Sequence, residues 1–245
     1  MQKPIEIDGK RYEIRGGLVR GQTIYDLAGC AEGQLFVNRS DDIDVQLGRE
    51  NFMIIRGEEI FVSGESSVEN NPSLRRPVQI RFNGKAGPAL PTAKMTGFDL
   101  KQFDEEIPQG RLFVDIGFGP DAEIPDDMTL LVQDDNAFFV IPAHEDAQSG
   151  DAVDIEECGR HGRRPPKGLK YKVKIDREKY VVEGAQITGA QILALVGKTP
   201  EEWALNQKLK GGKRERVRSD DFIDLSEPGT ERFETVRRQA QQGSE

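Results

Sequence analysis

The sequence predicts an α+β protein built from three repeats of one small unit, and three observations lead to this prediction. The segment IDGKRYEI at residues 7–14 returns as IDREKYVV at 175–182, and GQLFV at 33–37 returns as GRLFV at 110–114. Recurring segments of this kind are typical of duplicated structural units. The chain is also polar, with 36% hydrophobic and 31% charged residues, which suits several small units better than one large core.

Two fixed offsets define the repeats. An offset of 168 aligns the first repeat with the third without a gap, from Ile5 with Val173 to Gly29 with Gly197. A fainter second repeat follows the first at an offset of 75, where IRFNGK at 80–85 matches IEIDGK. Identical residues in the first and third repeats include Ile7, Asp8, Tyr12, Gly21, Ile24 and Leu27. The second repeat also contains MTGFDLKQF at 95–103, which is similar to ITGAQILAL at 187–195.

Each repeat is predicted to open with a β-hairpin. In the first repeat Ile5, Ile7, Tyr12 and Ile14 alternate with polar residues, and the DG between them is typical of a tight turn. In the third repeat Arg177 replaces the turn glycine, so the turn signal there is weaker.

A single helix is predicted to follow each hairpin. In the third repeat Thr188 and Gln191 form a T-x-x-Q capping box, and Gly197 is a typical helix stop. Between them Ile192, Leu195 and Val196 share one helix face. The first repeat shows the same spacing of apolar residues before Gly29.

Further strands are expected to close a sheet on each helix. The apolar runs at 35–37, 112–114 and 203–205 come first, and closing strands are expected at EEIFV 58–62, DAVDI 151–155 and DFIDL 221–225. The second repeat is longer, and residues 129–141 are interpreted as an additional hairpin. The polar, proline-bearing segments 66–73 and 158–168 are interpreted as linkers.

Charge and apolar content exclude several classes of protein. Residues 169–245 hold 15 Lys and Arg against 13 Asp and Glu, a net charge of +2, whereas residues 1–168 carry 19 against 30, a net of −11. The strong negative charge of residues 1–168 argues against nucleic-acid binding by the whole chain, because contacts to phosphates need clustered positive charge. The sequence has no apolar run of about 18 residues and no signal-peptide core, so we expect no membrane span and a cytoplasmic location.

The order of a hairpin, one helix and closing strands resembles the β-grasp fold of ubiquitin. In the third repeat GKTPEEWAL at 197–205 is similar to the stretch after the ubiquitin helix, and TERFETVRR at 230–238 resembles its last strand and basic tail. More specifically, this repeat resembles the bacterial multiubiquitin domains. Those tandem ubiquitin-like repeats are encoded in operons beside ubiquitin-activating-type, conjugating-type and JAB-type peptidase proteins, in pathways linked to defence against phage.

The resemblance implies three tandem β-grasp domains, each a mixed sheet packed on one helix, and a flexible tail. The expected boundaries are domain 1 at residues 1–66, domain 2 with its extra hairpin at 76–157, domain 3 at 169–236 and the tail at 237–245. The junctions after the first and second repeats differ from the C-terminus, so we expect one three-lobed modifier rather than a precursor of single modifiers.

The same resemblance implies a function for the tail, VRRQAQQGSE. A JAB-type peptidase would cut before Ser244, so that Gly243 becomes the C-terminus for an activating-type and then a conjugating-type enzyme, which would attach it to a protein target. Arg237 and Arg238 resemble the arginines before the ubiquitin diglycine and would bind these partners. This sequence has one glycine there instead of two, and the alternative is an ordinary frayed terminus.

Two other functions stay open at this point. One is a non-enzymatic assembly module that scaffolds partners or polymerises through exposed strand edges. The other is a sulfur carrier with a thiocarboxylate at the same glycine, although such carriers are usually single domains that end in two glycines. Deletion of residues 243–245 should abolish transfer of the chain to an activating enzyme but leave assembly intact, which would distinguish the modifier from the assembly module.

No catalytic, cofactor-binding or metal site is expected from the sequence. Cys158 and His161 form C-x-x-H, but Cys30 and His144 lack a second paired spacing, so we interpret Cys158 as a linker cysteine and His161 as a solvated histidine. Cys30 follows the first helix stop, and a small buried thiol is favoured over a thioester nucleophile. No grouping of Ser, His and Asp stands out, so the chain is not expected to be an enzyme.

Overall fold

The computed structural model describes residues 1–30, 33–39, 44–64, 76–143 and 152–238. The chain divides into two compact units, residues 1–140 and 141–245. Both consist mainly of mixed sheets with a few short helices, an α+β architecture that is consistent with the β-grasp fold.

The three repeats have the same order of elements, namely three strands, one helix and four strands. The first repeat comprises β1 Gln2–Ile7, β2 Lys10–Arg15, β3 Gly17–Arg20, α1 Gly21–Ala28, β4 Gln34–Val37, β5 Val45–Leu47, β6 Phe52–Ile55 and β7 Glu59–Gly64. The second comprises β8 Val78–Phe82, β9 Lys85–Leu90, β10 Lys94–Thr96, α2 Gly97–Lys101, β11 Arg111–Asp115, β12 Ala122–Ile124, β13 Thr129–Leu131 and β14 Ala137–Ile141. After β15 Val153–Asp154 and α3 Ile155–His161, the third comprises β16 Lys170–Ile175, β17 Glu178–Glu183, β18 Gln186–Thr188, α4 Gly189–Leu195, β19 Trp203–Leu209, β20 Arg214–Val217, β21 Phe222–Asp224 and β22 Thr230–Arg237.

Sheet topology is also the same in the three repeats. The main sheets run β2-β1-β7-β4-β5, β9-β8-β14-β11-β12 and β17-β16-β22-β19-β20, so the last strand always lies beside the first. The first and last strands are parallel in each repeat. The third and sixth strands form a separate antiparallel pair, namely β3 with β6, β10 with β13 and β18 with β21. The predicted opening hairpins are confirmed.

Glycine at the first helical position is shared by α1, α2 and α4. A Cβ atom on Gly21 would overlap the carbonyl oxygen of Gly48, and the equivalent partners are the carbonyls of Pro125 for Gly97 and Arg218 for Gly189. The turn before the sixth strand can therefore lie directly against the start of the helix. The predicted capping box at Thr188 and Gln191 is confirmed, and Thr96 with Asp99 forms the same box in the second repeat.

Three separate domains are not confirmed, because the first two repeats share a sheet. Strand β13 of the second repeat runs parallel to β6 of the first, which joins the two short pairs into one sheet, β10-β13-β6-β3. One cluster of buried side chains also extends through both repeats, from Ile5 and Ile24 to Leu100 and Phe138. Residues 1–140, which the expected division assigns partly to domain 1 at 1–66 and partly to domain 2 at 76–157, form one compact unit.

Residues 152–161 differ from the sequence prediction. DAVDI at 151–155 was expected to close the second repeat, but β15 pairs in parallel with β16 of the third repeat, and β14 takes the closing position. The linker predicted from residue 158 instead begins within α3, which packs on β16 and β22. A Cβ on Gly159 would lie 2.5 Å from the carbonyl oxygen of Thr230, so glycine permits this close packing. Asp154 caps the helix, and its carboxylate accepts a hydrogen bond from Glu156 N at 3.1 Å.

The additional hairpin expected at residues 129–141 is also placed differently. Strand β13 pairs with β10 and β6, whereas β14 pairs with β8 and lies beside β11. These two strands belong to different sheets and have counterparts in the other repeats. The expected closing strand at 221–225 corresponds to β21, which pairs with β18, while β22 holds the closing position.

No helix in the described part of the chain combines the length and the apolar character needed to cross a membrane.

Substitution of a shared helix-start glycine tests the packing rule. We expect Gly21→Ala to lower the free energy of unfolding by about 1–3 kcal/mol, because the new methyl group must displace the Gly48 backbone. Gly64→Ala is the matched control, since its Cβ would lie 3.8 Å from the nearest atom, in Phe36, an ordinary contact distance. Urea unfolding followed by circular dichroism measures both, and equal stabilities of the two variants would contradict the rule.

Candidate functional site

The last strand of the third repeat leads directly to the predicted functional tail. Strand β22 lies inside its sheet, parallel to β16 and antiparallel to β19, with Phe233 opposite Ile175 and Arg237 opposite Trp203. It therefore has strand neighbours on both sides. The described chain continues one residue beyond β22, to Arg238. Arg237, which was expected to be the first residue of the flexible tail, instead lies within β22 and pairs with Trp203.

A carboxylate in the opening hairpin binds this last strand. Asp176 lies in the turn between β16 and β17 with a φ of 55°, a conformation that Asp and Asn tolerate better than most residues. Its carboxylate accepts hydrogen bonds from the backbone N of Thr235 at 2.8 Å and from the Thr235 hydroxyl at 2.7 Å. The turn is therefore tied to β22 at Thr235, two residues before the strand ends at Arg237.

Lys198 and Trp203 complete this cluster. The ammonium group of Lys198 donates to Asp176 Oδ2 at 3.0 Å and to Thr235 Oγ1 at 2.6 Å, and it lies 4.2 Å from the centroid of the Trp203 ring. An ammonium group over an indole face is a favourable cation–π contact. We use the term tail base for Asp176, Lys198, Trp203, Thr235 and Arg238.

The environment of Asp176 favours its charged form. Burial alone raises the pKa of Asp176, but the hydrogen bonds from Thr235 and Lys198 outweigh this effect and hold the pKa below the ordinary value of an aspartate. At neutral pH the tail base thus contains an ionised carboxylate that is paired with a lysine.

The other repeats use the same device. Asp8 lies in the first hairpin turn with a φ of 50°, and its carboxylate accepts from the backbone N of Ser63 in β7 at 2.7 Å. This bond is the main reason that the pKa of Asp8 is lowered. In the second repeat the side-chain oxygen of Asn83, also at a φ of 50°, accepts from the backbone N of Val140 in β14 at 3.0 Å. The sequence signal for this contact was the presence of aspartate at equivalent positions of the first and third repeats, Asp8 and Asp176. From the sequence alone, this signal predicted only part of a turn.

Arg237, the last residue of β22, and Arg238, which follows it, are both exposed, and their partner-binding role stays a prediction. The backbone N of Arg238 donates to the carbonyl of Glu202 at 2.8 Å, and its Nε donates to the carbonyl of Trp203 at 3.3 Å. Val236 is 51% exposed beside them, so the tail begins at a surface that is both basic and apolar.

Gly243 and the predicted cleavage position before Ser244 lie outside the described residues. Their roles stay predictions.

The cysteines occupy different environments from those expected. Cys158 is buried in α3 and is not a linker cysteine, while Cys30 is only partly buried. His161 lies in the last turn of α3, with its Nε2 atom 3.5 Å from Glu157 Oε1. Within the described residues, no group of three or more His, Cys, Asp and Glu is arranged to hold a metal ion.

The role of the Asp176 carboxylate can be tested by the pH dependence of stability. Because its pKa is lowered on folding, its contribution is fully present above the unfolded value of about 4 and is lost as the pH falls through the folded pKa. Asp176→Asn introduces the residue type that the second repeat carries at Asn83, and it should destabilise by about 1–2 kcal/mol at pH 7 and by less below pH 4.

Trp203, the single tryptophan of the chain, lies in the tail base, and its fluorescence during urea unfolding reports on this unit. The control is Asp220→Asn, an exposed aspartate in the same unit. A destabilisation by Asp176→Asn that is the same at pH 7 and at pH 3 would contradict the assigned role.

One known family matches this chain in part. The family model described as multiubiquitin matches residues 171–238. The match begins at Tyr171 in β16 and ends at Arg238, so it covers the third repeat and the tail base but less than a third of the chain. No curated protein and no solved structure matches the chain. The strand order and this match together support a multiubiquitin-type protein with a ubiquitin-like fold.

Proposed function

We propose that this protein is a ubiquitin-like modifier that is conjugated through the carboxylate of Gly243. A JAB-type peptidase hydrolyses the bond between Gly243 and Ser244, and ubiquitin-activating-like and conjugating-like enzymes then transfer the new C-terminus to a protein target. The proposal assigns the protein to the bacterial cytoplasm, in a pathway of anti-phage defence. The catalytic groups belong to the partner enzymes.

One observation carries this proposal. The strand that precedes the tail lies inside the sheet of a repeat that matches the multiubiquitin family, and the match extends to the last described residue, Arg238. A modifier needs a rigid body joined to a flexible reactive end. The tail base supplies the rigid part, because Asp176 binds Thr235 and Glu202 binds Arg238 through the backbone.

The chemistry after processing follows from the carboxylate itself. The Gly243 carboxylate attacks the α-phosphate of ATP and displaces pyrophosphate, which gives an acyl adenylate. A cysteine thiolate of the activating enzyme then attacks the carbonyl carbon and displaces AMP, which gives a thioester. A cysteine thiolate of the conjugating-like enzyme attacks this thioester and releases the first thiol. An amine or a hydroxyl of the target then attacks the new thioester, loses a proton and releases the second thiol, so that an amide or an ester bond forms. Glycine suits the reactive position because it has no Cβ atom to obstruct an enzyme channel.

Arg237 and Arg238 have a distinct role in this proposal. They orient the tail on an acidic surface of the activating enzyme and increase the rate of encounter, as complementary charges do at other interfaces. Arg237 is the last residue of β22 and Arg238 follows it directly, so both arginines precede the proposed reactive glycine by five residues or more.

Two truncations test the role of Gly243. The chain that ends at Gly243 should form a thioester with the activating enzyme and ATP without the peptidase, whereas the chain that ends at Gln242 should form none. With the full chain, intact mass should show the loss of one Ser and one Glu residue before any adduct forms. A thioester on the chain ending at Gln242, or cleavage elsewhere in the tail, would refute the assignment of Gly243.

The double variant Arg237→Glu and Arg238→Glu tests recruitment. In the chain that ends at Gly243 we expect kcat/KM for thioester formation to fall about tenfold or more, because both charges are reversed at the docking surface. The same change at Arg11 and Arg15, two exposed arginines of β2, is the control. Equal losses in the two double variants would show that net charge, and not the position of Arg237 and Arg238, determines recruitment.

A further inference from the structure

The sixth strand has an equivalent position in all three repeats. In each case it pairs with the third strand, which ends at the residue that caps the helix. The capping residues therefore show which residues of the three sixth strands are equivalent. The equivalent pairs are Arg20 with Phe52, Thr96 with Thr129 and Thr188 with Phe222.

In the first two repeats these strands pair with each other. Leu130 of β13 lies opposite Phe52 of β6, and Leu131 lies opposite Met53. Met53, Leu130 and Leu131 are at most 2% exposed, so this contact is part of the core. The chain thus contains a working example of pairing between sixth strands.

The register of that pairing has a physical reason. Along the sixth strand of each repeat, the backbone N–H and C=O groups of every second residue point toward its antiparallel partner, the third strand. The equivalent residues Phe52 and Thr129 belong to the other set, so their backbone groups point away from the third strand. In a parallel pair of strands, a residue whose backbone N–H and C=O groups bond to the other strand lies opposite a residue whose backbone groups point away from it. Two equivalent strands must therefore pair with an offset of one residue, as the contact of Phe52 with Leu130 shows.

Strand β21 presents the same edge without a partner strand. Within the described residues it pairs only with β18. Gly189 N donates to Asp221 O at 3.2 Å and Leu225 N donates to Ala185 O at 2.6 Å, so alternation turns the backbone of Phe222 away from β18. Phe222 is 76% exposed, whereas its counterpart Phe52 is half-buried at the junction with β13.

We propose that β21 pairs with β21 of a second molecule of this chain, in the parallel arrangement that joins β6 and β13. Phe222 of one molecule then packs beside Ile223 of the other, as Phe52 does beside Leu130. The one-residue offset makes the two halves of this dimer slightly different. Since one strand edge is consumed in each molecule, the assembly stops at two.

The association is expected to be weak. Three-residue strands bury far less than the roughly 1,200 Å² of a stable interface. In the first unit the connecting chain raises the effective concentration of the two strands, an advantage that two separate molecules lack. A dissociation constant on the order of 100 μM is therefore expected.

Sedimentation equilibrium of the full chain between 10 μM and 1 mM, concentrations chosen on the order of the expected constant, measures this association. Phe222→Asp should raise the dissociation constant at least tenfold, because it places a charge beside the apolar residue of the partner. Phe222→Thr introduces the residue of the second repeat and should weaken the dimer less, without loss of strand propensity. Phe98→Asp is the control, since it gives the same charge change at another exposed phenylalanine, in α2.

Three outcomes would overturn the proposal. They are a monomer at the highest concentration, a dimer that Phe222→Asp leaves unchanged, and equal weakening by Phe98→Asp. Circular dichroism of each variant verifies that the chain is folded. The proposal is independent of conjugation, so the chain that ends at Gln242 should dimerise as the full chain does. The two proposals therefore fail in different experiments.

Discussion

A side-chain oxygen in the opening turn of every repeat binds the last strand of that repeat, and the remaining architecture depends on this contact. Asp8, Asn83 and Asp176 supply it, each from a residue with positive φ. The contact joins the two ends of each repeat, which are far apart in sequence but adjacent in the sheet. In the third repeat it also sets the start of the tail. The element that gives the fold its closure therefore gives the proposed reactive end its position.

The sequence correctly predicted the opening hairpin and the helix of each repeat, because local signals determine them. The hairpins follow from alternation around a turn, and the third-repeat helix follows from Thr188, Gln191 and Gly197. The α+β class also followed from the repeats, whereas three separate domains are not confirmed. The helix α3 was missed although Asp154 and Gly162 are ordinary start and stop residues, because seven residues are too few to establish a helical period, and the glycines and prolines around them favoured a linker.

Long-range contacts could not be predicted in the same way. A three-residue strand such as β13 shows no clear alternation, so the sequence gives no sign that it pairs with β6. The packing of Gly159 against Thr230 joins segments that are about 70 residues apart in the chain, and only folding brings them together. The tail base also depends on a contact between distant residues, since Asp176 lies in the turn of the opening hairpin and Lys198 lies after α4. For the tail itself, sequence and resemblance remain the basis of the assignment.

The shared sheet of the first two repeats has a consequence for proteolysis. A protease that cut the connection between residues 64 and 76 would break the covalent chain but not the ladder of β6 and β13, nor the common apolar core. The fragments would stay bound to each other in a nicked pair under native conditions, and only a denaturant would release them. The smallest species that limited digestion could release from the first two repeats under native conditions thus contains both of them.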